Sequence, residues 1–460
     1  LVAPGQKMLH TSPARQSGSE IRRAASTKVG SRFFLLDFIA LVALAILTAL
    51  FLLLLFEPSL PYRVSPPRIA PASRQYVNYL SAIVNARLFS VSDVVVLNKG
   101  SAIYEAELAA IRGARHSIHL EVYLFLRGTV AEEFVAALTE RARAGVAVRL
   151  VVDRIGSFAT PDRYFAPLRR AGARVYWYQP IAWYTLKRFN NRTHRDLLIV
   201  DGETGFVGGV GVADFWIGPQ GNGRPWRDTI VRVTGDLVKG LQTSFAENWL
   251  EASGQILAQE EFSSVSEEEP DVLPHGPGIG LVINSTPSAG RSTRARMLFQ
   301  ILLASAQRSI EITSPYFVPD RSLSAELMRA AQRGVKVTIL TPGDYNNHPI
   351  ARLASRRRYG GLLEAGIHIH EYQPTMIHAK VLIVDATWCV VGSTNFDNRS
   401  FGLNDEVNVA VMQAELALRL DSDFKTDLAQ SRAITLEEWR RRPVGERVLA
   451  LLGSVFERQT

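Results

Sequence analysis

Two phrases in this chain are nearly the same: THRDLLIVDG from Thr193 to Gly202, and IHAKVLIVDA from Ile377 to Ala386. What surrounds them recurs in the same order. ARHSIHLEVYLF (114–125) corresponds to AQRSIEITSPYF (306–317), each reading as a helix end that feeds a buried strand. RARAGVAVRLVVD (141–153) corresponds to RAAQRGVKVTILTP (329–342), as helix, glycine stop and strand. AGARVYWYQP (171–180) corresponds to AGIHIHEYQP (365–374), with the same Tyr-Gln-Pro ending. A shared order of this length marks a duplication. Strands alternating with helices make each copy an α/β half with a largely buried sheet. The halves are expected over residues 76–258 and 280–430. The stretch between them, 259–279, is rich in Glu, Ser and Pro (QEEFSSVSEEEPDVLPHGPG) and reads as a linker.

Composition narrows the class. With 47% apolar and 21% charged residues, the chain is a folded protein. Its net charge of +8 suggests nucleic acid until it is located. Lys7, Arg15, Arg22, Arg23, Lys28 and Arg32 stand against Glu20 alone in a basic tail over 1–32, so most of the excess lies there. The body is close to balanced and no nucleic-acid partner is expected. The single cysteine, Cys389, excludes an intrachain disulfide and a cysteine metal cage, and in WCVVG it reads as a buried structural thiol.

Residues 38–56, FIALVALAILTALFLLLLF, carry no charge. As a helix they span roughly 28 Å, close to the ~30 Å hydrocarbon core of a bilayer. A transmembrane helix over 33–57 is therefore expected, followed by a Pro-rich tether over 58–75. A cleaved signal peptide has a shorter apolar run. The basic tail favours a cytoplasmic N-terminus, but Arg63, Arg68 and Arg74 behind the segment leave the side of the body open. In the C-terminal tail, 431–460, Val444, Val448, Leu451, Leu452, Val455 and Phe456 fall at helical spacing beside several arginines. That amphipathic pattern fits a helix on anionic lipid or one docked on the body.

The repeated phrase carries the chemistry. Residues i and i+2 of a strand share a face, so His378 and Lys380 project together. The pair suits a phosphodiester: the ammonium binds oxygens, and a neutral imidazole attacks phosphorus or returns a proton. Ser393 and Asn395 in GSTN add donors for the same anion. Glu406, in LNDEVN, is expected to orient the His378 ring. Two histidines in duplicated contexts imply one shared site where the halves meet, with one imidazole as nucleophile and the other as general acid.

His-x-Lys-x4-Asp-x6-Gly-Ser-x-Asn, complete at His378, Lys380, Asp385, Gly392, Ser393 and Asn395, resembles the signature of the phospholipase D superfamily. SPYFVPD (314–320), NFDNRSFGLNDEVN (395–408) and the block from NRTHR to GFVGG (191–209) are similar to bacterial cardiolipin synthases, a likeness over roughly residues 95–460. The resemblance implies two tandem phospholipase D-like α/β domains packed face to face around a shared active site. It implies phosphatidyl transfer through a phosphohistidine, with no metal and no cofactor. Two phosphatidylglycerols would give cardiolipin and glycerol, so the partners are anionic phospholipids and the membrane. It assigns His194 as nucleophile and His378 as acid, and makes Asp228, in RPWRDTIVRV, the orienting acid of the first half.

The first copy departs from the pattern. Asp196 stands where lysine is expected, and Gly211 where asparagine is expected. A carboxylate a few ångströms from a phosphate repels it and raises the pKa of a neighbouring imidazolium. Three readings follow: Arg192 or Arg195 supplies the missing charge; the site is asymmetric, with Lys380 on the phosphate and Asp196 on an acceptor hydroxyl; or the half has decayed. The catalytic candidates are His194, His378, Lys380, Asp228 and Glu406. The substrate-binding candidates are Ser393, Asn395, Arg195, Asp196 and Gly209. Asp201 and Asp385, at strand ends, are expected to hold structure. Glu121 and Tyr316 either line the pocket or pack. His368 and His370 lack carboxylate company and read as surface residues, not metal ligands. The alternatives to transfer are lipid hydrolysis, a nuclease-type phosphodiesterase and a catalytically weakened lipid-binding homologue.

Overall fold

The computed structural model describes residues 36–49, 62–180, 190–218, 224–258, 261–262, 278–287, 293–443 and 445–446. The chain divides into two compact units, Leu1–Pro58 and Ser59–Thr460. In the first, residues 36–49 form a helix exposed throughout. Among the described residues no helix is long and apolar enough to cross a membrane, and residues 33–35 and 50–57 of the expected span lie outside them.

The second unit contains both halves. The strands before the linker are β1 (Leu88–Val91), β2 (Val94–Lys99), β3 (Ser117–Val122), β4 (Ala147–Asp153), β5 (Arg174–Tyr178), β6 (Arg192–Thr193), β7 (Asp196–Val200), β8 (Thr204–Gly208) and β9 (Arg227–Thr234). After it come β10 (Gly278–Ser285), β11 (Ser309–Thr313), β12 (Phe317–Val318), β13 (Lys336–Pro342), β14 (His368–Tyr372) and β15 (Val381–Val384). The last four are β16 (Trp388–Gly392), β17 (Phe396–Asp397), β18 (Asn404–Met412) and β19 (Ser431–Ile434). One sheet runs β2-β9-β8-β7-β3-β4-β5, and the other runs β10-β18-β16-β15-β11-β13-β14 with β1 and β19 on its edges. Strand for strand the order is the same. In each sheet the last three strands are parallel, while the two histidine-bearing phrases lead into antiparallel β7 and β15.

Every residue of β3 and β7 is buried, because the sheets are covered on both faces. Along β7, Leu198 and Val200 point to a core shared with the helices Gly100–Gly113 and Thr129–Arg143. Leu197 and Ile199 point the other way, to a core that also takes Ile383 and Val391 from the second sheet. The halves thus share one apolar layer. They also exchange parts: β1, which precedes the first sheet, pairs antiparallel with β10. The helix Leu237–Ser253 comes so close to β10 that a Cβ on Gly240 would lie 2.6 Å from Val282.

None of the apolar residues expected to form the amphipathic helix of the C-terminal tail is among the described residues. Ser431–Ile434 is a sheet edge paired with β14, because its backbone completes an otherwise open strand. The short helix Leu436–Arg441 begins with a Thr435–Glu438 capping box, and the Trp439 indole N–H donates to the Arg356 carbonyl at 2.6 Å. Residues 444 and 447–460 lie outside the described residues.

Candidate active site

Each histidine is laid against the acidic strand of the other half. β6 pairs in parallel with Asn404 and Asp405 of β18, and the His194 amide donates to the Asp405 carbonyl at 2.9 Å. Reciprocally, Arg227 of β9 bridges Ile377, and the His378 amide donates to the Arg227 carbonyl at 2.7 Å. The side chains follow the backbone. His194 Nδ1 lies 3.1 Å from Glu406 and His378 Nδ1 lies 2.9 Å from Asp228. This corrects the pairing expected within each half: Glu406 orients His194, and Asp228 orients His378. The reason is the crossed docking of β6 on β18 and of Ile377 on β9, a long-range arrangement that spacing along the chain does not encode.

Both acids are fully buried, and each is held by its own half as well. Asp228 accepts from the Trp216 indole at 3.2 Å and from the Thr229 amide at 2.7 Å. Glu406 accepts from the Ser393 hydroxyl and, at 3.3 Å, from the Asn404 amide. Lys380, 3% exposed, places Nζ 2.9 Å from His378 Nδ1 and 3.1 Å from Nε2. The two histidines face a cavity of about 370 Å³, also lined by Tyr123, Asp196, Gly209, Trp226, Tyr316 and Asn395.

The electrostatics of the two rings differ. Burial pushes His378 down to about 4, Lys380 adds to the effect, and Asp228 opposes it without prevailing. Burial also works against a charged His194, but Glu406, with help from Asp196, leaves its pKa above the ordinary value. Burial lowers the Lys380 pKa against Asp228, Asp196 and Glu406. Asp228 stays below the usual carboxylate range because Lys380 and His378 outweigh its burial.

The departures in the first half are built into the packing. Arg195 is fully buried and turned from the cavity, donating to the Ser244 carbonyl and pairing with Glu247 at 3.1 Å. It is therefore not a substrate-binding group in this arrangement. Arg192 points to Asp153 at 3.8 Å and to the Gln179 carbonyl at 3.3 Å. Neither arginine replaces the missing lysine charge in the cavity. Gly209, opposite in sequence to Ser393, leaves room for Lys380: a Cβ there would sit 2.4 Å from Nζ. Gly211, opposite to Asn395, abuts Leu124, whose carbonyl would lie 2.7 Å from an added Cβ. Asp196 lines the cavity and accepts from the Tyr123 amide at 3.1 Å. Burial pushes its carboxyl up to about 6, with His194 and Lys380 opposing.

Other expected residues fall in and out of the site. Asn395 lines the cavity and its buried Oδ1 lacks a hydrogen-bond partner, whereas Ser393 is buried behind it on Glu406. Tyr316 lines the cavity. Glu121 does not: it is buried against Thr193 and Asn248, and burial raises its carboxyl to about 7. Asp201 and Asp385 sit at φ 54° and 56°, and each carboxylate accepts three backbone amides, from Arg115, His116 and Ser117 or from Gln307, Arg308 and Ser309. Cys389 is buried, and its thiol is pushed up to about 12. Among the described residues no group of three or more His, Cys, Asp or Glu is placed to hold a metal ion.

Sequence reasoning missed the aromatic wall. Trp216 and Trp226 lie 5.8 and 5.6 Å from the His378 ring, and Tyr123 lies 5.2 Å from His194, edge to face. Both tryptophans lie shortly before Asp228 in the sequence, so DFW and RPW near an expected site acid were the available signal. Arg399, also on the cavity wall, was hidden inside a quoted motif and bonds Asn190 at 3.0 Å.

Known proteins resemble this chain over most of its length. The family described as "Cardiolipin synthase, PLD-like domain" matches residues 108–214 and 300–428. The cardiolipin synthase of Geobacillus kaustophilus is 32% identical over 397 residues, 86% of this chain and 78% of that protein. The probable cardiolipin synthase YwiE of Bacillus subtilis is 32% identical over 384 residues, 83% of this chain and 75% of that protein. A phosphatidylserine synthase from Haemophilus influenzae shares the fold, with a TM-score of 0.66 at 13% identity over 84% of this chain and 100% of that one.

Proposed function

Since the chain belongs to the cardiolipin synthase family of phospholipase D-like proteins, we propose that it is a membrane-attached phosphatidyl transferase that joins two phosphatidylglycerols into cardiolipin and releases glycerol. The observation that carries this reading is the pair of histidines on one cavity, each with Nδ1 on a buried carboxylate from the opposite half. Such a dyad fixes the ring, keeps the proton on Nδ1 and leaves Nε2 for chemistry. One imidazole attacks the donor phosphorus while the other protonates the departing glycerol oxygen. The second imidazole then takes the proton of the acceptor hydroxyl, whose oxygen displaces the first from phosphorus. Lys380 and Asn395 hold the phosphoryl oxygens. The catalytic halves are 76–258 and 280–430.

Residues 33–57 are the single-pass anchor in this reading, with the basic tail on the cytoplasmic side. The uncharged run from Phe38 to Phe56 supports it. Alkaline carbonate extraction of cell membranes tests the anchor: the full chain stays in the pellet, and recovery in the supernatant refutes it.

The test of activity is mass spectrometry of lipids after incubating the full-length protein with phosphatidylglycerol vesicles, with His378→Ala in parallel. Cardiolipin and glycerol, absent with the variant, are expected. Phosphatidic acid in place of cardiolipin would make the protein a hydrolase.

A further inference from the structure

The two histidines are equivalent in their carboxylate contact and unlike in everything else around them. His378 faces Asp228 from β9, Lys380 from its own segment, Trp216, Trp226 and Tyr316. Asp228 and the Lys380 ammonium both stand within about 3 Å of the ring, one anion and one cation at like distance, so their effects on ring charge largely cancel. Burial then decides, and a buried imidazole prefers to be neutral. With its Nδ1 proton on Asp228, His378 presents Nε2 as a lone pair. His194 faces Glu406 from β18, Asp196 from β7 and the Tyr123 ring, and no ammonium is bonded to it among the described residues. Asp196 and Glu406 both favour its charged form, with Lys380 the opposing cation. Arg192 and Arg195, the nearest cations in sequence, are engaged elsewhere.

We propose that His378 is the nucleophile and His194 the general acid and base, the reverse of the assignment that family resemblance implies, and that an ammonium on the His378 ring, with a carboxylate, Asp196, at the matching place of the other half, sets this division. The proposal rests on the phosphatidyl-transfer reading above. In the first step His378 Nε2 bonds to phosphorus and the bond from phosphorus to the headgroup glycerol oxygen breaks. The proton on His194 Nε2 goes to that oxygen, and glycerol leaves. In the second step the acceptor hydroxyl gives its proton to His194, its oxygen bonds to phosphorus, and the bond from phosphorus to His378 breaks with the electron pair returning to Nε2. Lys380 moves from the His378 ring to the phosphoryl oxygens when substrate enters. The shifts of the two rings are opposite and agree with this division: His378 is held low and His194 above its ordinary value.

The experiment is a mapped trap. Full-length protein is mixed with phosphatidylglycerol vesicles, quenched in base, in which phosphohistidine survives, and digested for mass spectrometry. The adduct is expected on the peptide containing His378; an adduct on His194 overturns the proposal. A nitrophenyl phosphodiester, whose leaving group needs no proton, gives an independent readout. His194→Ala is expected to lose on the order of 10³-fold with lipid but less than about 10-fold in the nitrophenolate burst. His378→Ala is expected to show no burst, and the opposite pattern overturns the proposal. Asp196→Lys is expected to shift the alkaline limb of kcat/KM to lower pH; an unmoved limb overturns the role of Asp196. Absence of both lipid product and nitrophenolate in the parent protein would refute the transfer reading itself, an outcome distinct from a misplaced adduct.

Discussion

The two halves run seven strands in one order, yet they bring unlike groups to the cavity. The second half contributes Asn395 to the lining, with Lys380 on the His378 ring and Ser393 on Glu406. At the corresponding places the first has Gly211 against Leu124, Asp196 in the lining, and Gly209. The glycines are filled in two ways: Lys380 reaches across the interface into the space beside Gly209, and Leu124 of the same half closes on Gly211. A half that had simply decayed would leave gaps or polar groups without partners. Here the losses are packed against, which suits the proposed division in which the first half holds an imidazolium and the second the phosphate. Duplication permits this because the crossed acids make neither histidine dependent on its own half alone.

The largest effect that tests the comparison comes from the histidines. His194→Ala and His378→Ala each remove one of two mutually dependent groups, so each should lower phosphatidylglycerol turnover by roughly 10³–10⁴-fold, and the double variant should be little worse. Additive losses would mean independent sites. Next come the acids. Asp228→Asn and Glu406→Gln should cost roughly 10²–10⁴-fold. In imidazole NMR, Asp228→Asn should move the titration of His378, and Glu406→Gln that of His194. Shifts within the same half would break the crossed pairing.

The glycines sharpen the contrast at smaller scale. Gly209→Ala meets the end of a flexible lysine, so it should leave the melting temperature nearly unchanged while lowering kcat on the order of 10-fold as Lys380 is displaced. Gly211→Ala meets the Leu124 backbone, which cannot swing aside, and should cost about 1–3 kcal/mol in thermal unfolding. The smallest effect is in the pH dependence of stability. Burial holds the Glu121 and Asp405 carboxyls up to about 7, above their unfolded values of roughly 4. Their contribution is therefore complete below about pH 4 and lost as the pH rises through 7. His378, held at about 4 against an unfolded value of about 6.5, acts oppositely: stability is lost as the pH falls through that window. Melts of Glu121→Gln between pH 5 and 8 should decline less steeply than those of the parent protein. An unchanged slope would mean that Glu121 is ionised in the folded state.

Much of this molecule was legible in its sequence because local physics carried it. The repeat of THRDLLIVDG as IHAKVLIVDA, with its flanking strands and helix stops, specified two α/β halves, since a run such as LLIV or VLIV has only a buried strand to form. The i, i+2 spacing of His378 and Lys380 put both on one face, and their side chains touch. The substitution at Asp196 was visible as a departure without its consequence. Tertiary structure alone decided which acid serves which histidine, that Arg195 turns into the interior, and that Trp216 rather than a serine supports Asp228. These depend on how β6 lies along β18 and how Ile377 meets β9, contacts between residues some 150 to 210 positions apart. Sequence spacing fixes the face on which a side chain stands. What stands opposite it is set by the docking of one half on the other, where burial and charge are then settled together.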